Sequence, residues 1–405
     1  MEENKKLHFA SLPYDIAKPR KNAMEKLTNE LVKYGEYNTF PQHLVHLYNN
    51  SSIHATCVNA VVEAIQGDGL TSDYPSVLDK ANFEGETWND VFSKIALDFY
   101  LFGGFAVEII YSKDRSKISS IFHIDFSHIR AKECDYRGRV PGYFVAYDWG
   151  DKSQYQVHYD DATYIPSYNP EKREDEPSQL LYYKPYRPQQ RYYPLPEYMG
   201  ALKVIEVDIE VDNFHDNNLK NGLAPSLAIT TFTNATDTDR QAIEQMLRAQ
   251  YSGTSNAGRL FYMDVDSPEN APKIEPIPQN GGDQYYLQIN DMVVQKVLTA
   301  HRITSPMLLG IKTESQLGGA TEMMDSYTLF LNMVIKPYQQ EILKVLERLI
   351  QAQSGIDIVL GVEQKQILDT GIDVVDVITS KDSESGEDAM LENEIEQDVI
   401  ENTIG

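Results

Sequence analysis

Residues 192–226 read YYPLPEYMGALKVIEVDIEVDNFHDNNLKNGLAPS. Pro194 and Pro196 end a loop, and Asn221-Gly222 is a common stop signal for a helix, so the spacing predicts a long helix from Pro196 to about Lys220. Its apolar residues fall on two stripes. Met199, Leu202, Ile205 and Ile209 form the first, while Val204, Val207, Val211 and Phe214 form a second, offset from it. Acidic residues fill the remainder, among them Glu206, Asp208, Glu210, Asp212 and Asp216. One core needs one stripe. Two stripes suit a helix with a neighbour on each side and one face on water, although a helix buried within a single domain would show the same pattern.

Downstream, the pattern predicts a strand in PSLAITTF, a helix from about Asp237 to Tyr251, a strand in GRLFYMDVD, and a second long helix from about Asp283 to Ile303. The second helix again carries apolar residues on more than one side: Leu287, Val294 and Leu298, then Ile289, Val293, Val297 and Ala300. The order helix, small unit, helix implies a stalk with a tip. Next comes TSPMLLGIKTESQLGGA at 304–320, where Pro306 bars a helix and Gly310 and Gly318-Gly319 permit sharp turns, so a mobile loop is expected. From Met323 to Leu349 apolar residues recur at three- and four-residue steps. Pro337 interrupts this helix and removes one of its hydrogen bonds, which predicts a kink near Leu331 to Val334.

Upstream, residues 41–66 read as two helices broken at Asn49 to Ser52, and Thr87 to Leu101 as a buried helix stopped by Gly103-Gly104. Strand patterns follow in FAVEIIYS, ISSIFHID, IRAKECD, PGYFVAYDW, YQVHY and TYIPSY. The proline-crowded stretch 171–196 reads as a loop and a boundary, and residues 1–40 as a polar arm.

The chain has 405 residues and a formal net charge of −25, which argues against a protein that grips nucleic acid through clustered Lys and Arg. Residues 354–405 alone hold 14 acidic and 2 basic side chains, the composition of a solvated acidic extension. Cys57 and Cys134 lack metal-binding or disulfide-framework spacing, and reduced thiols are expected. The start of the chain has no apolar signal region and no stretch approaches eighteen consecutive apolar residues, so neither export nor a membrane partner is expected.

Signatures of chemistry are missing. The dipeptide Gly-Lys of a phosphate-binding loop does not occur, HExxH is absent, and GTSNAG at 253–258 lacks nucleophile-elbow spacing. His43 and His46 lack a third ligand, while His123, Asp125 and His128 do not share one face of a strand, so they read as ordinary histidines. The aromatic and basic run YYKPYRPQQRYY at 182–193 reads as a draping loop rather than a base-stacking platform. No catalytic residue, metal site or cofactor is expected.

Four segments in order, residues 192–227, FYMDVDSPENAPKIEPI at 261–277, LTAHRITSPMLLGI at 298–311 and FLNMVIKPYQQEIL at 330–343, resemble tailed-bacteriophage portal proteins of the PBSX-type branch. The resemblance implies an α+β portal-type fold: an arm at 1–40, an α+β wing at 41–195, a stem helix at 196–221, a small α/β clip at 222–282, and a second stem helix at 283–303. A tunnel loop at 304–319, a long kinked wing and crown helix at 320–353, and a crown with acidic tail at 354–405 complete it. It further implies a ring of about twelve subunits at one capsid vertex, with double-stranded DNA passing through non-specifically. Terminase large subunit, a head-tail adaptor on the clip, and major capsid protein around the wing would be its partners. In this mapping Lys312, Thr313, Glu314, Ser315 and Gln316 face DNA from the tunnel loop. Glu206, Asp208, Glu210 and Asp212 are candidates to line the stem lumen, where acidic groups would repel phosphates. Val204, Val207, Val211 and Phe214 would pack against a neighbouring subunit. Another ring-forming virion component, an adaptor or minor capsid protein, is the alternative, and an unrecognised enzyme is a more distant one.

Overall fold

The computed structural model describes residues 25–28, 31–147, 149, 162–221, 227–231, 260–264, 282–303, 305–310 and 320–365. The chain divides into two units, Met1–Glu363 and Gln364–Gly405, and every helix and strand described belongs to the first. Strands β1 (Glu25–Thr28) and β2 (Leu31–Tyr34) form an antiparallel hairpin. Helices α1 (Phe40–Asn50) and α2 (Ser52–Gln66) meet at Ser51, whose hydroxyl accepts a hydrogen bond from the His54 amide and so caps α2. After β3 (Gly69–Ser72) comes α3 (Trp88–Phe102), opened by a reciprocal capping box between Thr87 and Asp90. It closes at Gly103, where φ is +84° and an added Cβ would lie 2.5 Å from the Leu195 carbonyl oxygen. Only glycine fits there.

Strand β4 (Phe105–Tyr111) pairs with β5 (Ile118–Ile124) on one side. Strands β6 (Ile129–Ala131), β7 (Gly142–Val145) and β8 (Thr163–Pro166) form a second antiparallel sheet. The other side of β4 is taken by β9 (Ser178–Tyr183), inside the stretch expected to be a loop. Pro177 and Pro185 flank this strand without interrupting it, so its backbone stays free to pair and Leu180 is fully buried. The YQVHY pattern lies outside the described residues.

The expected arm at 1–40 also needs correction at its end. Leu31, Val32 and Tyr34 are essentially without exposure, and the Tyr34 ring stacks on Tyr193 at 4.0 Å between centroids. Beside this pair sits Arg130, completely buried and bonded to amide and carbonyl oxygens rather than to a carboxylate. All five of its N–H groups are used: Nε donates to Asn38 Oδ1 at 2.7 Å, Nη1 to the carbonyls of Ser127 and Ile129, and Nη2 to the Asn38 carbonyl and Gln42 Oε1. Burial lowers its pKa to about 10, which leaves it charged at neutral pH. The cation also lies 5.8 Å from the centroid of the Tyr34 ring and 5.1 Å from that of Trp149.

The two long helices expected around the small unit are α4 (Leu202–Asn221), entered through a 3-10 turn at Glu197–Ala201, and α5 (Gly282–Ala300). Between them β10 (Leu227–Thr231) and β11 (Leu260–Asp264) pair in parallel, a geometry that needs a crossover connection. The helix expected at 237–251 lies outside the described residues. Helix α6 (Ala320–Phe330) runs through a π-helical turn at Leu331–Ile335 into α7 (Lys336–Ser354), so the α-helical register breaks at the residues where Pro337 predicts a kink. Strand β12 (Leu360–Glu363) then pairs antiparallel with β3, which places this part of the expected crown region in a sheet with residues of the wing. No helix among the described residues is long and apolar enough to cross a membrane.

Arg130→Met would remove the cation and strand the polar groups of Asn38 and Gln42. Each buried acceptor left without its donor costs about 1–3 kcal/mol. Chemical denaturation followed by circular dichroism should therefore show a clearly lowered midpoint; an unchanged midpoint would mean the network is dispensable to the wing.

Candidate functional site

Helices α4 and α5 pack against each other, and both are rooted in the wing helices. The root of α4 is Tyr198, Ala201 and Ile205, all buried, and that of α5 is Val297, Leu298 and His301. A buried polar chain ties them down. Tyr100 on α3 hydrogen-bonds His301 Nδ1 at 2.7 Å, and His301 Nε2 lies 2.9 Å from His54 Nδ1 on α2. Tyr198 stacks on His301 with 4.9 Å between centroids. With both imidazoles neutral, the Tyr100 hydroxyl donates to Nδ1 of His301 and its Nε2–H donates to His54, which satisfies every group in the chain except His54 Nε2. Burial holds both rings neutral, lowering the pKa of His54 to about 4 and that of His301 to about 3, the latter helped by the neighbouring His54.

The same root decides which of the acidic residues expected to line a lumen stand in solvent. Asp208 is buried and accepts a hydrogen bond from the Ser51 hydroxyl at 2.7 Å, so it faces the wing and leaves the set of lumen candidates. Its carboxyl is pushed up by burial, an effect opposed by the Ser51 bond and reinforced by nearby Asp212. Glu206 is turned toward α1, with Oε1 3.1 Å from His43 Nε2. Glu210 and Asp212 are exposed. The second apolar stripe divides: Val204 is half-buried and packs against the chain's own core, so it leaves the set of inter-subunit candidates, whereas Val207 is 42% and Phe214 38% exposed and Val211 is half-buried; Ile205 on the opposite face has no exposure at all. Met292 on α5 and Leu329 and Met333 at the kink are exposed as well.

The expected tunnel loop begins differently. Pro306–Leu309 form a 3-10 turn capped by the Ser305 hydroxyl, which accepts from the Met307 amide, and Leu308 and Leu309 pack against the core. Lys312, Thr313, Glu314, Ser315 and Gln316 lie outside the described residues. The three residues weighed for metal binding do not converge: His123 Nε2 is 2.7 Å from buried Asp98, while His128 packs edge-on against Tyr147 and lies 3.9 Å from Asp125.

Sequence reasoning passes over one residue of this region, Arg302. Helix α5 ends in a Schellman motif, with the Ile303 amide bonded to the Leu298 carbonyl and the Arg302 amide to that of Thr299. Arg302 holds the left-handed position at φ +57°, where glycine is usual and a side chain costs about 1 kcal/mol. Its guanidinium lies 3.6 Å from Glu197, at the entry to α4, and donates to the Met333 carbonyl at 2.9 Å. A cavity of about 550 Å³ opens beside it, lined among others by Arg187, Glu197, Val334, Pro337 and Tyr338.

In an unfolded chain both buried histidines titrate near 6.5. Below that pH the unfolded chain binds protons that the folded chain refuses, so this contribution to stability is complete above pH 6.5 and is lost as the pH falls toward about 4. Asp98 and Asp208, whose carboxyls burial raises, act in the opposite sense. Replacing His301 with Gln isolates the histidine contribution: the decline in denaturation midpoint between pH 6.5 and 5 should be shallower in the variant than in the parent. Equal slopes would show that these rings do not govern the acid response.

A family model described as phage portal protein matches residues 66–370, which is most of the chain. Among solved structures, a chain in the neck of an empty gene transfer agent particle computed with C6 symmetry is similar at a TM-score of 0.55 and 15% identity, over 91% of this chain and 93% of that one. A chain in the virion of a native gene transfer agent particle gives 0.53 at 16% identity, over 87% and 90%. A third, in the neck of the native particle computed with C12 symmetry, gives 0.52 at 15% identity, over 86% and 89%. No curated protein matches. These likenesses carry the fold, a mixed helix and sheet architecture, and the family match runs from the end of α2 past β12: the chain belongs to the phage portal protein family.

Proposed function

We propose that this portal protein assembles into a ring of about twelve copies at one capsid vertex, and that double-stranded DNA passes through the ring during genome packaging and ejection. The observation that carries this reading is the outward stripe Val207, Val211 and Phe214, on a helix whose opposite face is buried against its own wing. A head-to-tail ring buries two different faces of each subunit, and a stripe of this kind is what the second face requires. The C12 symmetry of one structural neighbour supports the number twelve.

Within the ring, Glu210 and Asp212 are the two acidic candidates left exposed, and as they project from opposite sides of α4, the one that faces the lumen would repel DNA phosphates and let the duplex slide. Lys312 to Gln316 would meet DNA from the tunnel loop, with Lys312 the one cation among them able to touch a phosphate directly. The ring itself would do no catalysis. A separate ATPase, the terminase large subunit, would dock on it during packaging and give way to a head-tail adaptor on the clip, while the major capsid protein surrounds the wing. The four ordered segments quoted above favour the PBSX-type branch within the family.

Replacing Val207 and Val211 together with Asp should abolish rings in negative-stain images while leaving the circular dichroism spectrum of the monomer unchanged, because both side chains already face away from the chain's own core. Rings of normal number and size would remove the basis for this reading. Deleting Gln316 to Gly319 should leave ring formation intact and reduce DNA retention in packaged particles; collapse of the ring would mean that these residues belong to a core.

A further inference from the structure

An α-helix supplies each backbone carbonyl with a donor four residues later, and Pro337 has no N–H to give. In α-helical register the carbonyl left without that donor is Met333's; the turn here is π, with the Lys336 amide on the Leu331 carbonyl, and it is the Met333 carbonyl on which Arg302 places Nη2, at 2.9 Å. We propose that Arg302 is a latch: its guanidinium gives the Met333 carbonyl the hydrogen bond that Pro337 cannot give it in α-helical register, and so couples the end of the second stem helix to the π turn of the long helix.

Three independent features converge on this residue. Its backbone occupies the left-handed position of the Schellman motif, where glycine would be more comfortable, so the side chain is retained against a local conformational preference. Its guanidinium, 3.6 Å from Glu197, also reaches the entry of the first stem helix, so the roots of both stem helices and the kink meet at one cation. The cavity beside it is lined by both halves of the latch, Arg302 on one element and Val334 and Pro337 on the other. That leaves the bend room to change if the guanidinium lets go. A displacement of α5 at its root then pulls on the Met333 carbonyl, and straightening of the long helix pulls on α5, since coupling between two sites is reciprocal.

The test is a double-mutant cycle read by amide hydrogen exchange on the full-length chain. Arg302→Gly relieves the backbone at 302, so the variant folds, and any loss reports the side chain alone. Exchange of the amides in 331–336 should accelerate about tenfold, the size expected when one charge-assisted hydrogen bond is removed. In the Pro337→Ala background residue 337 supplies its own N–H, and adding Arg302→Gly there should change exchange by less than about twofold. Glu197→Gln, which removes the ion pair and leaves the Met333 bond, should likewise stay within about twofold of the parent. The latch is overturned if Arg302→Gly leaves the kink unchanged, if its effect is as large in the Pro337→Ala background as in the parent, or if Glu197→Gln reproduces it.

Discussion

The hydrogen bonds at the root of the two stem helices are the constraint on which the rest of the structure depends. A helix that leaves the body of a protein loses its packing partners on most sides, so its direction must be set where it departs. Here that point is buried and polar: Ser51 holds Asp208 on α4, while His54 and Tyr100 hold His301 at the end of α5. Apolar contacts alone would let the helices slide or rotate at little cost, whereas a buried hydrogen bond with defined donors and acceptors penalises every other register. The cost is that the imidazoles must stay neutral, which burial enforces.

The same logic explains why the outer surface of the stem looks unfinished. With α4 fixed by Asp208 and Ile205 facing inward, Val207 and Phe214 can only face outward, where both keep more than a third of their surface exposed. An exposed apolar stripe on a helix this well anchored is the face on which the ring proposed above would close. The long helix follows a parallel course, since α7 is amphipathic and buried along one side while Leu329 and Met333 are exposed at the kink that joins it to α6.

Much of this is legible in the order of residues. The two stripes of α4 follow from 3.6-residue periodicity, the capped ends of α3 from Thr87 and Gly103, and the break in α-helical register near Leu331 from a proline that lacks an N–H, all of them local causes. The features that stay hidden have non-local causes. Strand β9 is masked because prolines crowd its flanks, and only pairing with Phe105–Ile110 reveals that the residues between them are free to form a ladder. The buried end of the supposed arm is masked because Tyr34 meets Tyr193 and Pro194 across some hundred and sixty residues of sequence. The first turn of the expected tunnel loop reads as open loop because Pro306 stops a helix without saying that Leu308 and Leu309 reach the core.

The sequence by itself determined the succession of elements, the two-faced character of α4, the acidic balance of the chain, and the family to which the ordered segments point. The tertiary structure alone decided rotation and partnership. Asp208 and Glu210 are two residues apart with the same charge, yet one bonds Ser51 in the interior and the other stands in solvent. Arg302 and Met333 are thirty-one residues apart, and nothing in their spacing says that one repairs what Pro337 leaves open. Periodicity gives the faces of a helix, whereas the choice of which face is buried is made by the groups it meets, and those come from distant parts of the chain.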